Sequence, residues 1–195
     1  MDTSQLDALI VEHLADLDAA ANQVIRIEER IWKAMGDLMK EHSEENGWRG
    51  SFDKDDDVLW LAPPEWVIEG EEIAWFTLDL GPADQDNRES DLYFDLSRLC
   101  GLGEGSLSFW FRLNAGKRQW KPVAKALAEN VADLGFSMTD SATFHMDCTP
   151  SQSAMAQALS DDDFEQALKP LSLALDRLPA SVPAFTTMLQ QSKLL

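Results

Sequence analysis

The stretch Ser106-Leu107-Ser108-Phe109-Trp110-Phe111-Arg112-Leu113-Asn114 alternates strictly between two kinds of side chain. Leu107, Phe109, Phe111 and Leu113 take one face; Ser108, Trp110, Arg112 and Asn114 take the other. A period of two is the signature of a β-strand with one buried face. Upstream, Trp48 to Phe52, Val58 to Ala62, Trp66 to Ile68, Ile73 to Leu80 and Leu92 to Leu96 read as further strands, separated by Asp53–Asp57, Pro63-Pro64, Gly81-Pro82 and the polar stretch Ala83–Ser90. Cys100-Gly101-Leu102-Gly103-Glu104-Gly105 reads as a Gly-rich turn into the alternating strand.

Downstream the period changes. Trp120, Val123, Ala124, Leu127, Val131 and Leu134 line one side of a helix from about Arg118 to Leu134, which Gly135 ends. Thr139 to Cys148 is one more strand, stopped by Thr149-Pro150. The rest is helical: Ser151–Leu159, then about Asp161–Leu178, bent or divided at Pro170, then Pro183–Lys193. The acidic run Asp161-Asp162-Asp163-Phe164-Glu165 follows Ser160, so it is expected in a first helical turn, where the helix dipole favours negative charge.

Residues 4 to about 45 read as one long helix with a heptad-like stripe of Ile10, Leu14, Leu17, Ala21, Val24, Ile31, Met35 and Leu38. Glu28 alone breaks the register. About 40 residues would span roughly 60 Å, which is long for a domain of this size. The helix is therefore expected to bend near Ala19–Asn22 and pack on its own sheet, ahead of pairing with a second copy. The reading is an α+β fold: a mostly antiparallel sheet of five to six strands, a long N-terminal helix (1–47, a dimerisation or packing arm) and an α+β domain (48–195) whose segment 151–195 is helical.

The chain has 195 residues with 35 acids and 16 bases, a net charge of −19. Residues 1–47 hold 11 acids and 4 bases; residues 48–100 hold 14 and 4. Nearly all of the excess thus lies in the first hundred residues, and residues 101–135 are mildly basic, with 3 acids and 5 bases. Such a field opposes direct binding to nucleic acid and to anionic membranes. Seven Trp and 45% hydrophobic residues argue for a folded chain. The N-terminus lacks the basic and apolar regions of a signal peptide. Two cysteines do not make a disulfide scaffold. A cytoplasmic location is the expectation.

Tests for chemistry mostly fail. Asp53–Asp57 resembles a calcium loop, but Val58 stands where the turn requires Gly and Pro64 where the bidentate Glu belongs. None of the eight lysines has an acid two residues earlier, as restriction-type nucleases require. No phosphate loop and no Gly-x-Ser-x-Gly elbow is present. In His145-Met146-Asp147-Cys148, a strand puts His145 and Asp147 on one face and Cys148 on the other, a poor geometry for a Cys–His nucleophile or a zinc pair. No catalytic residue, metal or cofactor is assigned.

What remains is a surface. If Leu107 and its partners face the core, then Trp110 and Arg112 face outward, as do Tyr93 and Asp95, and His145 and Asp147. Trp, Tyr and Arg are the types enriched at binding hot spots. An alternative arrangement lays a helix, in particular the N-terminal one, over this face and buries Trp110. That is the expected one, because exposed Trp is uncommon. Functionally, the sequence points to a non-enzymatic interaction module, an adaptor, inhibitor or regulatory subunit for a basic protein. The alternative is a small-ligand-binding or catalytic domain on the face around Trp110, Arg112, His145 and Asp147. Nucleic-acid mimicry by the acidic surface is a minor third reading.

Overall fold

The computed structural model describes residues 3–53, 58–81, 95–102, 106–114 and 116–195. In chain order the elements are α1 (Thr3–Glu12), α2 (Leu14–Asn46), β1 (Arg49–Ser51), β2 (Leu59–Ala62), a 3₁₀ turn (Pro64–Trp66), β3 (Val67–Ile68), β4 (Glu71–Glu72) and β5 (Ala74–Gly81). Then come α3 (Asp95–Leu99), β6 (Ser106–Leu113), α4 (Lys117–Leu127), α5 (Glu129–Ala132), β7 (Ser137–Met138), β8 (Phe144–Asp147), α6 (Gln152–Asp161) and α7 (Lys169–Gln191). The fold is α+β. Six strands form one antiparallel sheet in the order β1-β2-β5-β6-β8-β7, and β3 pairs with β4 as a separate small hairpin.

The alternating strand is the centre of this sheet. β6 pairs with β5 over its whole length, with Phe76 opposite Phe111 and Thr77 opposite Trp110. On the inner face Phe76, Leu78, Leu107, Phe109, Phe111 and Phe144 are buried together with residues of α2 to α7. Phe185 of α7 is the hub. Its ring stacks on Phe111 at 4.2 Å and lies 5.0 to 5.8 Å from Phe136, Phe144 and Phe76. Trp66, in the 3₁₀ turn, meets the same cluster and donates its indole N–H to Thr186 Oγ1 at 2.8 Å.

α2 crosses the sheet on this inner side through Ile31, Trp32, Met35 and Met39. Gly36 is required at the crossing, because a Cβ there would run into the Phe52 carbonyl. Gly47 ends the helix at φ 65°, the left-handed conformation that glycine adopts without steric cost.

Several expectations need correction. The helix is interrupted at His13 (φ −109°, ψ 22°), not near Ala19–Asn22. Residues 4–20 do not pack on the sheet; every one of them is exposed. Leu96 is not in a strand but in α3, while 92–94 lie outside the described residues. Only Phe144–Asp147 of the stretch 139–148 is strand; Thr139–Thr143 is the turn joining it to β7, closed by Ala142 N–H to Thr139 O. The acidic run at 161–165 does not begin a helix. Asp161 ends α6, and Asp162 is its left-handed cap at φ 55°. Carboxylates at this end of a helix are disfavoured by the dipole; Asp162 is instead held by Arg30 of α2 at 2.7 Å. α7 runs unbroken through Pro179 and Pro183 because its apolar side is buried along the whole length.

Two substitutions test this packing. Phe185→Ala is expected to cost about 3–5 kcal/mol in urea unfolding, the range for deleting a fully buried aromatic ring. Gly36→Ala is expected to destabilise by about 1–3 kcal/mol despite alanine's better helix propensity, because the clash at Phe52 outweighs it; an unchanged midpoint would overturn the crossing argument.

Candidate functional site

The outer face of the sheet is built from the residues that alternate with the core. One row across the strands reads Ser51, Trp60, Thr77, Trp110, His145 and Ser137; the next reads Arg49, Ala62, Trp75 and Arg112. Asp79, Ser108 and Asp147 form a third. Trp110, Arg112, His145 and Asp147 therefore share one face, as the alternation implies. Asp95 does not join them. It begins α3 and pairs with Arg98, whose guanidinium also reaches the Leu80 carbonyl. Tyr93 lies outside the described residues.

Trp110 is buried, with 1% of its surface exposed, but not by the N-terminal helix. α2 occupies the opposite side, since Ile31, Met35 and Met39 join the core of Leu59 and Leu61. Among the described residues, Trp110 meets His145 and Arg112 on this face. Its ring stacks on His145 at 4.9 Å, and the Arg112 guanidinium lies 5.2 Å from its centroid. Arg112 also pairs with Asp79 at 3.5 Å. Trp110 Nε1 and His145 Nδ1 are both buried and have no hydrogen-bond partner. Each such atom costs about 1–3 kcal/mol.

His145 and Asp147 do not form a hydrogen-bonded dyad. Asp147 Oδ1 accepts from the Thr149 amide at 2.8 Å and from the Thr149 hydroxyl at 2.7 Å. Burial lowers the His145 pKa, with the Asp147 charge opposing, so its imidazole is neutral at pH 7. Cys148 points into the core, where burial raises its pKa, with Asp147 adding to the rise. It is thus a protonated, inert thiol. Cys100, the other free cysteine, is also raised by burial.

Beside Arg112 the same face opens into a cleft of about 750 Å³. Val58, Trp60, Trp75, Thr77 and Asp79 make its floor, with Arg112 and Asn114 alongside and Glu71 and Glu72 of the β3–β4 hairpin as a wall. Arg49 fastens that wall: it donates to the Gly70 carbonyl at 3.1 Å and pairs with Glu72 at 3.1 Å. The hairpin turn itself uses Glu69 at φ 53° and Gly70 at φ 90°. Trp60 and Trp75 are half-buried, each presenting indole surface to the cleft. Sequence reading missed these residues, although the signal was present. Trp60 alternates with Leu59 and Leu61, and Trp75, Thr77 and Asp79 alternate with Phe76, Leu78 and Leu80, by the same rule that exposed Trp110 and Arg112.

The described residues contain no group of three or more His, Cys, Asp or Glu placed to hold a metal, and no described helix is long and apolar enough to cross a membrane. The architecture and face define an α+β domain with an acid-walled, tryptophan-floored cleft on its sheet. No protein-family model, curated protein or solved structure matches the chain.

Stability should depend on pH through the two lowered histidines. Burial depresses His145 and also His42, the latter against the charges of Asp176 and Glu45. Below pH 6.5 and above the folded-state values, the unfolded chain binds more protons than the folded one. Stability is therefore complete above about pH 6.5 and declines as pH falls through that window. Urea midpoints from pH 7.5 down to about pH 5 should show the slope, and His145→Gln should make it shallower. A slope of the opposite sign would contradict the burial assignment.

Proposed function

We propose that this chain is a non-enzymatic interaction module, an adaptor, inhibitor or regulatory subunit, that binds a basic protein and seats one of its cationic segments in the sheet cleft. The observation that carries this reading is the pairing of two half-exposed indoles with the Glu71 carboxylate, in a cleft whose three lining acids, Glu71, Glu72 and Asp79, outnumber its lining base, Arg112. A Lys or Arg side chain gains from an indole face, by about 0.5–2 kcal/mol depending on desolvation, and from the carboxylates around it. Arg112 is held by Asp79 and the Trp110 ring, and Arg49 pairs with Glu72, so the attraction rests on Glu71 and the two indole faces. The net charge of −19 acts in the same direction at long range by steering a basic partner to this surface.

The same field disfavours nucleic acid and anionic membrane as direct partners. Two free cysteines accord with a reducing, cytoplasmic setting. Self-association is assigned to the N-terminal arm, not to this face. A second reading, a small amine-bearing ligand on the same face, is favoured by the cleft volume, which falls within the range of small-molecule sites.

Calorimetric titration of the full chain with a Lys- and Arg-rich peptide of about 12 residues separates these readings. Micromolar binding is expected at about 50 mM salt, weakened at least about tenfold at 300 mM. Trp60→Ala with Trp75→Ala should weaken it by a similar factor while leaving the fold intact. Absence of binding, or unaltered binding by the double variant, would remove the cleft from the proposal. A small polyamine that binds as tightly as the peptide would favour the second reading.

A further inference from the structure

The apolar stripe of the N-terminal helices does not stop where the domain stops. Ile31, Met35 and Met39 are buried in the domain core. At 100° per residue, Val24, Ala21, Leu17 and Leu14 continue the same face of α2, with Ile25 on its flank; Ile10 and Leu6 repeat that spacing in α1, beyond the interruption at His13. Leu6, Ile10, Leu14, Leu17 and Ile25 are each roughly half exposed, and neighbouring Val11 is 73% exposed. The helix thus leaves its own domain while still presenting a core-type surface. Glu12, Asp16 and Arg26 lie on the far side. Such a concentration of exposed large apolar residues marks an interaction surface.

We propose that this face is covered by a second copy of the chain, paired antiparallel along residues 6–25. This goes beyond the cleft and does not depend on what the cleft receives. Orientation follows from the domain itself. From Ile31 onward the face that would meet a parallel partner is occupied by the chain's own sheet, so parallel helices would force two domains into the space between them. Antiparallel helices overlap only along the free arm and leave the domains at opposite ends. The natural register sets Leu14 against the partner's Leu17 and Ile10 against the partner's Ala21. Residues 6–25 form two helical segments that meet at His13 and span at most about 30 Å, and two copies paired over both bury up to about 1,000 Å², the lower bound for a specific interface. Between Thr3 and Ile25 the arm has no Lys or Arg, which sets it against an anionic lipid surface as the occupant; its acids Asp7, Glu12, Asp16 and Asp18 lie off the apolar stripe, so those of two copies repel only from the flanks of the seam, a repulsion that salt screens.

Sedimentation equilibrium of the full chain should show a reversible dimer between about 1 and 100 µM. Leu14→Glu with Leu17→Glu should raise the dissociation constant at least about tenfold, without changing the thermal transition of the domain. A spin label at Ser4→Cys, in a Cys100→Ser background, should report about 35 Å between copies if the pairing is antiparallel, against about 10 Å if parallel. A monomer throughout, a dimer indifferent to the two glutamates, or the short distance would overturn the proposal. Peptide titration of the Leu14→Glu/Leu17→Glu chain reads the cleft separately, so failure of one proposal leaves the other standing or falling by its own result.

Discussion

The stacking of Phe185 on Phe111 is the contact on which the rest of the molecule depends. It joins the C-terminal helix to the central strand at 4.2 Å, nearly parallel, and four further aromatic rings gather round it. Because side chains alternate along a strand, fixing Phe111 and Phe76 inward fixes Arg112, Trp110, Trp75 and Thr77 outward. A slip of one residue would bury Arg112 and expose the core. The hub therefore sets the register of β5 and β6, and the register composes the outer face. Cleft and core are two sides of one constraint.

Around that constraint the peripheral pieces are held by polar contacts. Arg49 ties the β3–β4 hairpin to the edge of the sheet, which stations Glu71 and Glu72 beside the two indoles. Arg30 reaches Asp162 and so joins α2 to the end of α6. Glu28 accepts the amide of Leu96 at 2.8 Å, in the first turn of α3. Glu28 is the residue that interrupts the helix stripe, and this bond is its reason: an apolar residue there would leave that amide without its acceptor.

How far the sequence reveals this depends on where the determining interactions lie. Strand alternation is local, so the sheet, the shared face of Trp110, Arg112, His145 and Asp147, and the inward Cys148 were all legible. Helix boundaries were less so. The acidic run at 161–165 has the composition of a helix start, yet it closes α6, with the Asp163 N–H donating to the Ala158 carbonyl and Arg30, 132 residues away, pairing with Asp162. Leu92–Leu96 has the apolar spacing of a strand, while Leu96 sits in a helix capped by Glu28. The cleft went unread because it takes residues from four strands, β2, β4, β5 and β6, and the residues beside them, and only the tertiary arrangement brings these together. The exposure of the arm was hidden for the converse reason: a stripe that meets a core and a stripe that leaves it have the same periodicity.

That continuity has a thermodynamic side. A helix of about 20 residues without tertiary support sits close to its helix–coil midpoint in water, because nucleation is costly and propagation only marginally favourable. Residues 4–20 have no burial in the domain to offset this. Their helicity is consequently not a fixed property of the chain in the way that of α7 is. It is coupled to whatever covers the stripe, so order in the arm and occupancy of its apolar face rise and fall together.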